Sequence, residues 1–210
     1  MSTYRIEEDC LGQIKVEADK YWKSQTQRSL ENFKIGQELM PASLIHSFAI
    51  LKEACAKANL HFNKITEKQC EAIVEICQRI ENGQYLDQFP LHVWQTGSGT
   101  QTNMNANEVI ANRALELMGH QRGEYQYCSP NDHVNRSQST NDAYPTAIHL
   151  GMYYTHLKLV KHFSELIEAF QKKATLFAHI IKMGRTQLED AVPMTLGQTF
   201  NGFASILRDE

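Results

Sequence analysis

The feature of this chain that most restricts its fold begins just after Pro145. His149, Tyr153, His156, Val160, Phe163, Ile167, Phe170, Ala174, Phe177 and Ile181 recur at alternating steps of four and three, a spacing that lines side chains along one stripe of an α-helix. It predicts a single helix of over thirty residues. A stripe of that length needs partners of similar length, supplied by a helix bundle or by symmetric assembly. No other segment of the 210 residues carries a comparable pattern. The expectation is therefore a stretch from the front of a longer protein, with self-association of a small natural protein as the alternative.

Shorter helical patterns surround it. One starts at Ser43 and puts Leu44, Phe48, Leu51, Cys55 and Ala58 on one face. Thr66-Glu67-Lys68-Gln69 has the form of a capping box opening the next, which should stop at Asn82-Gly83. A third is expected from about Glu108 to Met118, ended by Gly119. After Pro193, Leu196, Phe200, Phe203 and Leu207 mark a last one. Ahead of all of these, the strand-like run Gln13-Ile14-Lys15-Val16 behind Gly12 and the polar stretch Gln25-Thr26-Gln27-Arg28 predict an irregular, hairpin-like arm. The fold class is all-α: a mainly helical N-terminal domain over 1–141 with a short β-hairpin-like arm, then the first long helices of a bundle over 142–210.

Three polar loops carry the chemistry. Gln95-Thr96-Gly97-Ser98-Gly99-Thr100-Gln101-Thr102-Asn103-Met104-Asn105-Ala106-Asn107-Glu108 combines glycine, hydroxyls and amides with almost no charge, ahead of a helix expected near Glu108. Glycine lets backbone approach a ligand closely, and free N–H groups at a helix start favour an anion. Pro130-Asn131-Asp132-His133-Val134-Asn135-Arg136-Ser137-Gln138-Ser139-Thr140-Asn141-Asp142 repeats the recipe. The third segment, Gly184 to Gln198, joins two helical patterns and places Thr186 and Gln187 at the end of the longest. Such loops suit a small carboxylate, although each polar residue also reads as a cap or turn residue.

Bulk properties remove other classes. A net charge of −3 and the lack of a Lys/Arg cluster argue against a nucleic-acid surface. No apolar run approaches the roughly eighteen residues a membrane helix needs, and the N-terminus lacks a signal-peptide core, so a cytoplasmic protein is expected. Five cysteines, with Cys55, Cys70 and Cys77 inside helical patterns, suggest buried thiols rather than a disulfide framework. The nine histidines are dispersed without zinc spacing, so no metal ligand is assigned.

All three loops resemble, in order, the signature segments of the fumarase/aspartase superfamily of lyases, and the resemblance spans nearly the whole chain. Trp94 to Gln101, with the arm Lys20-Tyr21-Trp22 and Gln25 to Arg28, looks most like class II fumarases. Leu115 to Tyr127, Asn131-Asp132-His133-Val134, Ser139 to Thr146 and Met183 to Gln187 look like aspartate ammonia-lyases. Gln187 and Ser129 stand where fumarases usually carry histidine, and His133 where they carry a second aspartate; these departures favour aspartase. Lys23 stands where relatives generally have glycine.

The resemblance implies reversible elimination across a carbon–carbon bond beside a carboxylate, here L-aspartate giving fumarate and ammonia. Removing that proton loads a second negative charge onto the carboxylate, so donors must sit where charge develops; one such donor is worth about 3 kcal/mol in a known hydrolase. Carried over, Thr100, Ser139 and Thr140 would grip that carboxylate with Ser98 close by. Asn141 and Thr186 would hold the other carboxylate and the amino group, and Gln187 would orient the amine. The family's base is a serine on a Gly-Ser-Ser loop with no counterpart here, so no catalytic residue is assigned and this stretch alone is expected to bind poorly and not turn over. The resemblance further implies a homotetramer whose active sites draw on three subunits, and no required cofactor, although magnesium activates some aspartases. Class II fumarate hydratase is the rival within the family; a non-catalytic helical oligomerisation module is the rival outside it.

Overall fold

The computed structural model describes residues 4–209, in two compact units, one running to Met152 and the other from Tyr153. The first opens with an antiparallel hairpin, β1 (Tyr4–Asp9) and β2 (Gly12–Glu17), with Asp9 opposite Gly12. This is the expected arm. The polar stretch behind it is not irregular: it forms α1 (Ser24–Asn32), whose buried residues are Ser24, Thr26 and Ser29. No apolar stripe announces this helix, because it docks through polar contacts. Lys23 precedes it with an extended backbone at φ −115°, so nothing there demands glycine. Its ammonium donates to the Glu8 carbonyl at 2.9 Å and lies 4.9 Å from the Tyr125 ring centre.

Three helices form the core: α2 (Ala42–His61), α3 (Glu67–Glu81) and α4 (Thr100–Leu117). At the start of α3, Thr66 Oγ1 accepts from Gln69 N–H at 3.3 Å while Gln69 Oε1 accepts from Thr66 N–H at 2.9 Å, the reciprocal cap expected. The helix ends at Asn82, and Gly83 turns the chain at φ 84°. Phe48, Ile73, Ile76, Ile80, Val109, Ile110 and Leu115 are fully buried, each worth about 1.5–3 kcal/mol of burial. The buried face of α2 is rotated from the expected one. It runs through Leu44, Phe48, Lys52, Ala56 and Asn59, leaving Leu51 and Cys55 half-buried and Ala58 exposed, since two polar residues on the inner face blur the apolar stripe. Cys70 and Cys77 are buried free thiols, as expected.

Helix α4 starts at Thr100, not near Glu108. Its first turns are polar because their buried side chains tie other segments down. Asn105 Nδ2 donates to the Gln88 carbonyl at 3.1 Å, and Asn112 Nδ2 to the Tyr21 carbonyl at 2.7 Å. The Glu108 carboxylate, also wholly buried, takes the start of α1: it accepts from the backbone N–H groups of Lys23 (2.9 Å), Gln25 (3.0 Å) and Thr26 (3.2 Å) and from the Thr26 hydroxyl (2.6 Å).

The long helix α5 (Thr140–Leu176) contains Pro145 rather than following it, and stops before the last two residues of the expected seam, Phe177 and Ile181. In the second unit Ile181 opens β3 (Ile181–Thr186), which pairs antiparallel with β4 (Glu189–Thr195). This hairpin replaces the loop expected between two helices. It turns on Gln187 and Leu188, both left-handed at φ 51° and 68°, the geometry that matches strand twist in a two-residue hairpin. Helix α6 (Leu196–Asp209) then packs back onto α5: Phe170 lies 6.0 Å from Phe200 and 5.6 Å from Phe203 between ring centres, and Phe177 lies 5.7 Å from Phe200. Gly197 permits that contact, since a Cβ there would stand 2.5 Å from the Ala174 carbonyl oxygen. Tyr153, Leu157 and Val160 on α5 remain exposed. No helix among the described residues is long and apolar enough to cross a membrane.

Candidate active site

The first two polar loops become two helix starts set side by side in the first unit. Gly99 leads into α4 in the left-handed region at φ 72°, and a Cβ on it would fall inside the Tyr144 ring of α5. Only a hydrogen fits there. No side chain caps α4, so its first N–H groups stay available beside the hydroxyls of Ser98 and Thr100, which lie 3.1 Å apart and are exposed. At the start of α5, Ser139 Oγ accepts from Asn141 N–H at 3.2 Å, and the Ser139 carbonyl accepts from Asp142 and Ala143 N–H. Asn103, one turn beyond Thr100, links the two starts by donating to Thr140 Oγ1 at 3.0 Å. Two helix N-termini with converging hydroxyls give a positive field without a fixed cation at the surface.

A buried layer lies behind these hydroxyls. Lys52 is 0% exposed and donates to Asn135 Oδ1 at 3.0 Å and to Gln138 Oε1 at 2.8 Å. Asn103 and Asn107 both donate to the same Asn135 oxygen at 3.2 Å. No carboxylate pairs with Lys52 among the described residues, and burial pulls its ammonium down to about 7. Nothing in the polar loops points to Lys52. Its only trace in the sequence is a lysine four residues from Phe48 and four from Ala56, on the inward stripe of α2.

The turn Pro130–Val134 satisfies itself. Ser129 N–H donates to His133 Nδ1 at 2.7 Å, and Ser129 Oγ donates to Asp132 Oδ2 at 2.9 Å. Burial holds His133 below the usual histidine range, in keeping with a ring nitrogen that acts as acceptor. Of the predicted site residues, then, Ser98, Thr100, Ser139, Thr140 and Asn141 gather in the first unit. Thr186 ends β3 and Gln187 opens the hairpin turn of the second, both exposed. On that hairpin Asp190 pairs with Arg185 at 3.3 Å, so this carboxylate fixes the hairpin. Among the described residues no group of three or more histidine, cysteine or acidic side chains is arranged to hold a metal ion.

Neutral donors at paired helix starts, on a helical scaffold with small antiparallel hairpins, make a surface suited to a small anion. Residues 12–210 match a family model described as lyase. The chain is 51% identical over 205 residues to a class II fumarate hydratase of Campylobacter jejuni, covering 97% of this chain and 44% of that protein. It is 49% identical over 209 residues to the aspartate ammonia-lyase of Escherichia coli K12, covering 98% and 44%. The fumarate lyase:delta crystallin of Brucella melitensis superposes with a TM-score of 0.89 at 46% identity, over 99% of this chain and 45% of that one. The chain belongs to the fumarase/aspartase family of lyases. It spans less than half the length of these relatives.

Proposed function

We propose that the protein is an aspartate ammonia-lyase, in which L-aspartate loses a proton from the carbon beside its side-chain carboxylate and its protonated amino group, as neutral ammonia, from the next carbon, leaving fumarate. The observation that carries this reading is the pairing of the α4 and α5 starts through Asn103, with hydroxyls on both. Proton removal puts a second charge on the substrate carboxylate, and preorganised neutral donors stabilise that dianion at modest desolvation cost. Among the described residues no carboxylate bonds to these hydroxyls, and one placed there would repel the substrate. Thr100, Ser139 and Thr140, with Ser98, are assigned to the carboxylate that becomes the dianion. Asn141 and Thr186 are assigned to the other carboxylate and amine, and Gln187 to orienting the amine. The base is assigned to none of these residues.

The same reading assigns the protein to the cytoplasm as a homotetramer, the exposed Tyr153, Leu157 and Val160 of α5 being apolar surface that bundle partners would cover. It requires no cofactor for the chemistry. Gln187, Ser129 and His133 support aspartase over the second reading, fumarate hydratase, which the relative at 51% identity favours. The test is ultraviolet absorbance at the fumarate band, using the gene carried to its natural end, with L-aspartate and L-malate offered in parallel. Fumarate from aspartate with matching ammonia release is expected. Fumarate from malate alone would establish the hydratase, and no product from either would leave the helical assembly module.

A further inference from the structure

A hydrogen-bonded chain of amides leads from Lys52 to the Thr140 hydroxyl, and its polarity matters. Asn135 Oδ1 accepts from Lys52 Nζ (3.0 Å), Asn103 Nδ2 (3.2 Å) and Asn107 Nδ2 (3.2 Å), and Asn103 Nδ2 also donates to Thr140 Oγ1 (3.0 Å). An asparagine amide is ambidentate: turned over, it exchanges donor for acceptor at almost no steric cost. An ammonium only donates. With Lys52 at the root, Asn135 must turn its oxygen inward, Asn103 must turn its NH₂ toward Asn135, and the same NH₂ then meets Thr140. Thr140 Oγ1 is thereby an acceptor within the protein, which leaves its own proton for a ligand. The carbonyl oxygens of Asn103 and Asn107 are left buried without partners, the mark of amides held in an orientation that neither would choose alone.

We propose that Lys52 is a positioning residue for the carboxylate grip, fixing the direction of the Asn135–Asn103–Thr140 chain so that the Thr140 hydroxyl donates to the bound dicarboxylate. The Asn135 NH₂ also donates to the Gln138 carbonyl at 3.2 Å, so without the ammonium the chain can reverse only by giving up that long bond. Asn135 would present its NH₂ to Asn103, Asn103 would present its oxygen to Thr140, and the threonine proton would turn inward, away from the ligand. The inference rests on the proposed lyase reading, in which Thr140 contacts substrate.

The test is a double-mutant cycle in the full-length protein between Lys52→Met and Thr140→Ala at pH 6, where Lys52 is an ammonium, reading the dissociation constant of succinate, a non-reacting dicarboxylate, by calorimetry, with kcat and KM where turnover is found. Lys52→Met is expected to weaken succinate about tenfold, the scale of one hydrogen bond to a charged group, and to have almost no effect once Thr140 is alanine. Multiplying effects of the two substitutions would overturn the proposal, since a lysine with a merely structural role would act independently of the threonine proton. If Lys52→Met does not fold, Asn103→Leu cuts the chain nearer its end and must show the same dependence on Thr140. Succinate binding without turnover of aspartate or malate would remove the lyase reading while leaving the cycle readable; absence of succinate binding in the unsubstituted protein would overturn both.

Discussion

Glu108→Gln removes one oxygen from a wholly buried carboxylate that accepts four hydrogen bonds from the start of α1, three from backbone N–H groups and one from Thr26. The replacement is isosteric, so packing is unchanged and the effect is electrostatic. If the remaining oxygen stays with Lys23 and Thr26, the new NH₂ faces the Gln25 N–H, donor against donor. An unsatisfied buried donor costs about 1–3 kcal/mol, and three bonds to a charged acceptor become bonds to a neutral one, each weaker by about 1 kcal/mol. Relief of the desolvation penalty on a buried charge offsets several kcal/mol of that sum. The net expectation is a loss of about 2–3 kcal/mol, a sizeable share of a typical domain's 5–15 kcal/mol.

The assay is urea unfolding followed by fluorescence in a Trp94→Phe background, where Trp22 remains as the sole tryptophan, 7% exposed and next to the Lys23 that Glu108 holds. A lower midpoint with an unchanged slope is the expected result. Amide exchange over 24–32 should accelerate alongside it, because α1 is docked through this carboxylate. Burial pushes the Glu108 carboxyl upward while its four donors oppose the shift. A glutamine variant as stable as the parent protein would mean that the neutral carboxyl is the form held in the fold, and would refute the expected loss.

Gly99→Ala places a Cβ inside the Tyr144 ring and forces a left-handed alanine at φ 72°. It should cost about 2–4 kcal/mol and weaken succinate binding together with thermal stability; calorimetry showing both unchanged would mean that the two helix starts are not tightly opposed. Asp9 binds Arg28 through two bonds, 3.0 Å to Nε and 2.9 Å to Nη2, and the Arg28 guanidinium holds its carboxyl down at about 2. A folded value below the unfolded one of about 3.9 means stabilisation that is complete above the unfolded value and lost as pH falls through the folded one. The stability gap between the parent protein and Asp9→Asn should therefore narrow on acidification from pH 5 toward pH 2; urea midpoints showing a constant gap would contradict the assignment.

What the sequence shows of this molecule depends on how local the cause is. The Thr66–Gln69 box and the Asn82-Gly83 stop work within one turn of chain, so the pattern displays them directly. The seam finds an apolar partner in α6 at Phe170 and at Phe177, just past the end of α5, and fails at Ile181, where the chain turns into a hairpin. That hairpin escapes a sequence reading because Gln187 and Leu188 take left-handed conformations that a sequence normally signals with glycine or asparagine. The hydroxyls of the candidate site are legible from composition alone, since Ser98, Thr100, Ser139 and Thr140 cluster in segments rich in hydroxyls and amides.

Their support is not legible, for one physical reason. Asn103, Asn107 and Glu108 on α4, Ser24 and Thr26 on α1, and Lys52 on α2 are polar residues buried inside helices, whereas hydropathy patterning assigns polar residues to loops or to solvent. That misplaces the start of α4 and hides α1 altogether. Lys52, Glu108, Thr26 and the amide NH₂ groups of Asn103 and Asn107 find partners remote in sequence: Lys52 and Asn135 are 83 residues apart, Lys23 and Glu108 are 85. A polar group pays its desolvation cost only where such a partner waits, and in this chain the partners converge on the α4 helix whose first turn carries Thr100. The burial that defeats the pattern is thus also what holds the hydroxyls in place. Removing a buried donor such as Lys52 should therefore be felt first at the half-buried Thr140 end of the chain, where the hydrogen-bond direction is read out.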